Sequence, residues 1–172
     1  MRTLFLLAVV LVAAYVGYPY LTLYRIDRAL LGDDALALTS LVDFPQVRAD
    51  LKAEIKGDVR QKGEAAAEKR PILGTFGAAI ASLLAPAVVD GSVDALVTPE
   101  AVLNNGTVIE HRREGKSFAD FVTYAFFSAP TRFAFDLKDP ERPDSPTITA
   151  IMALEGLRWR VVAVDIPPVG SL

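Results

Sequence analysis

The chain of 172 residues contains no cysteine and a single histidine. The first absence excludes disulfide frameworks, thiolate zinc sites, thiol catalysis and lipid attachment through a lipobox cysteine. The second excludes a His-based metal cluster, and Arg112 and Arg113 beside His111 would repel a cation. Nor is there an excess of positive charge. Eighteen Lys and Arg against 21 Asp and Glu give a formal net charge of -3, which leaves no electrostatic footprint for nucleic acid. No internal repeat and no nucleophile, phosphate-loop or metal motif is present, so no catalytic residue, cofactor or metal is implied.

What the chain has is apolar residues, 52% of the total, enough for one domain core once any anchor is set aside. From Thr3 to Tyr24, "TLFLLAVVLVAAYVGYPYLTLY" runs without a charge. At 1.5 Å per residue such a helix crosses a hydrocarbon core of roughly 30 Å. A cleaved signal peptide competes with this reading, because Arg2 makes a positive start and Val12 with Ala14 could precede a cut. Apolar character continues past that point through Val16, Tyr18, Tyr20, Leu21 and Leu23, and the tyrosines suit a headgroup interface, which favours an uncleaved anchor. A short leader stays inside by preference, which places residues 25 onward outside the cytoplasm. A second uncharged run, Pro71 to Val89, is just long enough to span. Large residues on one stripe and small ones opposite, with two glycines and two prolines diluting the rest, favour a buried helix over a second membrane segment.

After the anchor the sequence predicts a helix, a break at Gly32 and a short helix from Asp33 or Asp34. In "LVDFPQVRADLKAEI", Asp43 can accept from the free amides of a helix start, Pro45 fits the first turn and Gln46 sits three residues on as in a capping box. Asp43 and Gln46 are therefore read as a structural cap, and Asp43 with Arg48 not as a catalytic pair. Phe44, Val47, Leu51 and Ile55 recur at helical spacing and face the core. Lys56 to Arg70 reads as a solvated helix tail and link. Thr98 caps a brief helix ending near Asn104. Asn105, Gly106 and Thr107 spell a glycosylation sequon that is read as a turn, and "TVIEHRREGK" as an exposed connection with a solvated His111.

The last third changes period. "FADFVTYAFF", "TRFAFDLK", "TITAIMALE" and "LRWRVVAVDI" are rich in β-branched and aromatic residues and separated by turn chemistry, which predicts four antiparallel strands. Phe133, Phe135 and Leu137 alternate with Arg132, Ala134 and Asp136; Trp159, Val161 and Ala163 alternate with Arg158, Arg160 and Val162; Glu155 and Gly156 make the last hairpin turn. The prolines of "KDPERPDSP" would block edge-to-edge pairing.

The run "YPYLTLYRIDRALLGDDALALTSLVDFPQVRADLKAEI" from Tyr18, with the closing "LEGLRWRVVAVDIP", resembles the bacterial domain of unknown function 2939 family. The resemblance implies a small bacterial envelope protein, favours one anchor and brings no catalytic residues; together with the orientation read from the leader, the expectation is a single-pass inner-membrane protein with a periplasmic carboxy-terminal domain. The order of helices then sheet is also similar to nuclear-transport-factor-two-like cones, a likeness of fold and not of activity.

The expected architecture is α+β: a membrane anchor or uncleaved signal over 1–24, then a single domain over 25–172. Helices over about 25–105 cover one face of a four-stranded antiparallel sheet over about 118–166, cone-like if the sheet curves. The leading functional reading is a non-enzymatic, membrane-tethered module that binds the lipid bilayer through residues 3–24 and takes a protein or small apolar ligand. Tyr124, Phe126, Phe133, Phe135, Met152 and Trp159 are the candidate pocket residues, with core packing as the alternative for each. The competing reading is a small enzyme using a pocket carboxylate or His111.

Overall fold

A computed structural model describes residues 2–62, 89–140 and 147–165. The second apolar run before Val89, six residues of the proline-rich loop and the tail after Asp165 lie outside the described residues, and with them the choice between a buried helix and a second membrane segment.

The first element is one continuous helix, α1 (Arg2–Leu31), which joins the expected membrane segment to the expected first domain helix. The two halves of α1 differ in burial. Leu4, Phe5, Leu6, Leu7, Val10, Leu11 and Val12 are more than half exposed, whereas Pro19, Thr22, Ile26, Ala29 and Leu30 are buried. Gly32 and the left-handed Asp33 (φ 55°) end the helix, and Asp34 caps α2 (Ala35–Leu41) by accepting from the Ala37 amide at 2.9 Å. Next comes α3 (Phe44–Lys62), whose Phe44, Val47 and Leu51 are buried as their spacing predicts. The chain is described again from α4 (Val89–Leu96) and α5 (Pro99–Leu103), the latter capped by Thr98.

The segment expected to be an exposed connection is instead helix α6 (Gly106–Glu114). Asn105 caps it by accepting from the Thr107 amide, and Gly115 closes it in the left-handed region at φ 65°. Its charged composition hid it, because the helix is held by contacts that no periodicity shows: Thr107 is buried, and Arg112 Nε donates to the Leu30 carbonyl at 3.0 Å while Nη2 pairs with Asp33 at 2.9 Å. Arg112 thereby satisfies an orphan carbonyl at the end of α1.

The four strands are β1 (Val122–Ala129), β2 (Arg132–Leu137), β3 (Ile148–Glu155) and β4 (Arg158–Asp165), antiparallel in the order β1-β2-β3-β4. Two sequence expectations need correction. "FADF", expected to begin the first strand, is a 3-10 turn (Phe118–Phe121) opened by a reciprocal capping box between Ser117 and Asp120. In β4 the alternation fails past Val161: Met152 pairs with Val161 but Ile151 with Ala163, so Val162 is an extra residue at a bulge. One inserted residue reverses the facing of the residues after it, and Val164, not Ala163, packs on the core. The last turn is Gly156–Leu157, with Glu155 and Arg158 paired across it; Gly156 takes φ 63°, which glycine adopts without strain.

Helices pack on the inner face of the sheet. The row Phe127, Phe133, Met152 and Val161 and the row Ala125, Phe135, Ala150 and Val164 meet α1, α2 and α3 there in one hydrophobic cluster. The free edge of β4 is covered by the chain entering α3, through a Val42–Val161 bridge and an Asp43 N–H donated to the Val161 carbonyl at 2.8 Å. Asp43 also caps α3 by accepting from the Gln46 amide at 3.0 Å. Because its own N–H is already bound to β4, the Gln46 side chain is not needed to complete a reciprocal box, and Gln46 is exposed.

Asp43→Ala removes the cap and the anion opposite Arg160, and is expected to destabilise the body by about 1–2 kcal/mol in urea unfolding. Asp43→Asn keeps the cap and should recover most of that loss.

Candidate functional site

The six candidate pocket residues fall on two faces of the sheet. Phe133, Phe135, Met152 and Trp159 are 0–2% exposed on the inner face. Tyr124 and Phe126 pair with Asp136 and Ala134 on the outer face and are 54% and 55% exposed. The pleat separates the two groups, because successive side chains on β1 point to opposite sides.

On the inner face the rings pack edge to face. The Phe127 centroid lies 5.3 Å from Phe133 and 5.7 Å from Trp159, and Phe133 lies 6.5 Å from Trp159. Two tyrosines of α1 complete the cluster. Tyr15 stacks on Phe127 at 5.6 Å and its hydroxyl donates to the Pro130 carbonyl. Tyr20 meets Phe133 edge-on at 5.0 Å and its hydroxyl donates to the Ala125 carbonyl at 3.0 Å. Such geometry adds about 0.5–1.5 kcal/mol per pair beyond area burial. The chemistry it supports is adhesion of α1 to the sheet. Among the described residues the Trp159 indole N–H has no hydrogen-bond partner. Sequence reasoning missed the contacts of Tyr15 and Tyr20 with the sheet, which both make while 40% exposed, since their place in an apolar leader suited a lipid interface equally well.

The polar groups are engaged in holding elements together. Asp27, 9% exposed, accepts from the Ser117 hydroxyl at 3.0 Å and from the Phe118 amide at 2.6 Å, so a carboxylate on α1 fixes the turn that starts β1. A lone acid within an apolar helix face is the signal that could have marked it. Asp43 pairs with Arg160 at 2.9 Å, and Arg160 also reaches Glu155 at 3.2 Å and the Val42 carbonyl at 3.3 Å. Arg48 is engaged elsewhere: it donates to the Val97 carbonyl at 2.8 Å and approaches Asp94 at 3.5 Å. Asp43 and Arg48 therefore have different partners.

His111 is half-buried and not freely solvated as expected. Its Nδ1 lies 2.9 Å from the Thr107 carbonyl, and its ring packs 4.5 Å from Phe121. Among the described residues, no three His, Asp or Glu side chains converge on a metal-sized site. The Lys52 ammonium, donating to Asp94 at 2.8 Å, holds the Asp94 carboxyl below its ordinary value against the opposing effect of desolvation, with the charges of Lys52 and Arg48 adding to the lowering.

The architecture defines a class: an α+β body whose first helix is, among the described residues, the one long and apolar enough to cross a membrane. Within that class the chain belongs to the family described as Protein of unknown function (DUF2939), whose model matches residues 8–104, more than half of the chain. The match covers α1 to α5 and stops before the sheet, so the closing hairpin that entered the sequence resemblance lies beyond it. No curated protein and no solved structure matches the chain.

Trp159→Ala should cost about 3–5 kcal/mol, as expected for a fully buried large aromatic, and show in thermal or chemical unfolding. Lys52→Met should raise the Asp94 carboxyl toward its ordinary value in a carboxyl-detected NMR titration. Since the folded value is the lowered one, the linked stabilisation is present above the ordinary unfolded value and is lost as pH falls through the folded one; the variant should lack that acid-side loss.

Proposed function

We propose that this protein is a membrane-tethered, non-enzymatic module of the bacterial envelope, held in the inner membrane by α1 with its α+β body on the periplasmic side. The observation that carries the reading is the division of α1. Before Tyr15 it presents a continuous exposed apolar surface, while one side of its second half is built into the core. A bilayer is the environment in which a helix exposing Leu4, Phe5, Leu6, Leu7 and Leu11 gains free energy rather than losing it.

The non-enzymatic part rests on how the reactive side chains are used. Asp27, Asp43, Arg48, Arg112 and Arg160 each hold two elements together, and the His111 ring is packed on Phe121. Membership in the DUF2939 family agrees with the envelope assignment that the sequence resemblance implies. The module's role is binding, with a protein or small apolar ligand as partner.

The native chain lacks cysteine, so one introduced thiol reports topology without background. Ser40 is exposed on α2, outside the core. In cells whose outer membrane has been made permeable, Ser40→Cys should react with a membrane-impermeant maleimide before the inner membrane is lysed. Labelling only after lysis would reverse the orientation, and release of the intact chain by an alkaline carbonate wash would remove the tether.

A further inference from the structure

Asn104 and Asn105 are the two asparagines of the chain, and Gly106 follows the second. An Asn-Gly pair carries its own chemistry. Glycine has no Cβ to shield its backbone nitrogen, so that nitrogen reaches the carboxamide of the residue before it more easily than any other would. The Gly106 nitrogen gives up its proton and bonds to the Asn105 Cγ, the Cγ–Nδ2 bond breaks, and ammonia leaves a cyclic imide. Water then opens the imide at either carbonyl. One opening leaves aspartate, and the other leaves isoaspartate, with the backbone routed through the side chain. Nothing is oxidised or reduced; one ammonia is lost and one water gained.

The fold acts on this pair in two opposed ways. Access is open: Gly106 is exposed, a Cβ built there meets nothing within 4 Å, and as the first residue of α6 its N–H belongs to those without an intrahelical partner. Conformation is closed. The Asn105 carboxamide caps α6 by accepting from the Thr107 amide at 3.0 Å, one nitrogen beyond the one that would attack it. A five-membered imide needs the Asn105 Cβ and the Gly106 nitrogen eclipsed about the Cα–C bond, and the observed ψ of 136° holds them far from that arrangement. Ring closure therefore requires that the cap break and the first turn of α6 unwind.

Other contacts oppose that unwinding. Thr107 is buried, the Asn105 amide donates to the Val102 carbonyl at 3.2 Å, and the Asn105 carbonyl accepts from the Ile109 amide at 2.9 Å. Further along the helix, Arg112 ties α6 to the Leu30 carbonyl at 3.0 Å and to the Leu103 carbonyl at 3.4 Å.

We infer that Asn105 is a self-modification site locked by its own cap: the folded chain holds the Asn105-Gly106 pair unreactive, and opening of the α6 start releases it to deamidate. The reaction is one-way. Isoaspartate lengthens the main chain by one carbon and shortens the side chain by one, so the cap on Thr107 is not rebuilt, and the helix that carries Arg112 to the end of α1 loses its start. A chain whose α6 has opened thus keeps a covalent mark of the event. The inference is independent of the tether reading.

The full chain in a mild detergent, held at mildly alkaline pH and sampled over days, tests this. The Asn105 peptide is scored by mass for conversion of amide to acid, and by isoaspartyl methyltransferase labelling for the rerouted backbone. Emission from Trp159, the one tryptophan and a buried one, reports whether the body is folded. Conversion at Asn105 should run about tenfold or more slower in the native chain than in the same chain unfolded in guanidinium chloride, because the native reaction passes through local opening. Gly106→Ala, whose added methyl enters open space, should be slow under both conditions. Arg112→Met should convert several-fold faster than the native parent. Equal rates for the parent, native and unfolded, would overturn the lock. An unfolded parent as slow as unfolded Gly106→Ala would overturn the site itself. A folded Arg112→Met no faster than the parent would overturn opening of α6 as the step that releases the pair. Should Arg112→Met lose native Trp159 emission, the comparison of native with unfolded parent decides alone.

Discussion

The adhesion of α1 to the inner face of the sheet is the constraint on which the rest of the architecture depends. A helix carrying Tyr15, Pro19, Thr22, Ile26 and Leu30 down one side meets a sheet carrying Phe127, Phe133 and Trp159, and each fully buried apolar side chain there contributes about 1.5–3 kcal/mol. Once α1 is seated, its polar groups place the neighbouring elements. The Asp27 carboxylate takes the turn before β1, and the end of the helix receives Arg112 from α6. Pro19 sits inside α1, offers no N–H to the Tyr15 carbonyl and is buried.

The same adhesion links fold to location. A helix that belonged wholly to the bilayer would leave the body on a leash, and one that belonged wholly to the core would leave no anchor. Here one helix carries an exposed apolar stretch and a stretch built into the core, with the changeover near Tyr15 and without a break in the backbone. Among the described residues the ion pairs join elements: Lys52 and Asp94 link α3 to α4, Arg112 and Asp33 link α6 to the end of α1, and Arg160 links β4 to Asp43 at the start of α3 and to Glu155 on β3. They align helices rather than supply large stability, as expected of partly exposed pairs.

Much of this was legible in the chain, for identifiable reasons. Strong local signals translated directly: the uncharged leader into α1, the Thr98-Pro99 pair into α5, Asp43 into the cap of α3, and the aromatic alternation of Phe133 and Phe135 into β2. Features that depend on a distant partner did not translate. Gly106 to Glu114 reads as polar loop until Arg112 is seen at the end of α1. The partner of Asp43 is 117 residues away and not the arginine five residues on. The bulge at Val162 left no composition signal, because Val161, Val162 and Ala163 are all suited to a strand and only the register against β3 shows which one is extra. The six aromatic and sulfur side chains grouped as one lining could be assigned to strands from their spacing, but not to faces across different strands.

Taken alone, the sequence determined where the apolar length lies, which segments repeat at helical or strand period, and which chemistries the lack of thiols and the single histidine remove. Those are local or compositional properties, fixed by residue order before anything folds. Tertiary structure decided that the leader divides at Tyr15, that Tyr124 and Phe126 face away from Phe133 and Trp159, and that the charged residues serve as joints between elements. Each of those outcomes depends on which surfaces meet when non-local segments pack, and packing selects among partners that local sequence leaves equivalent.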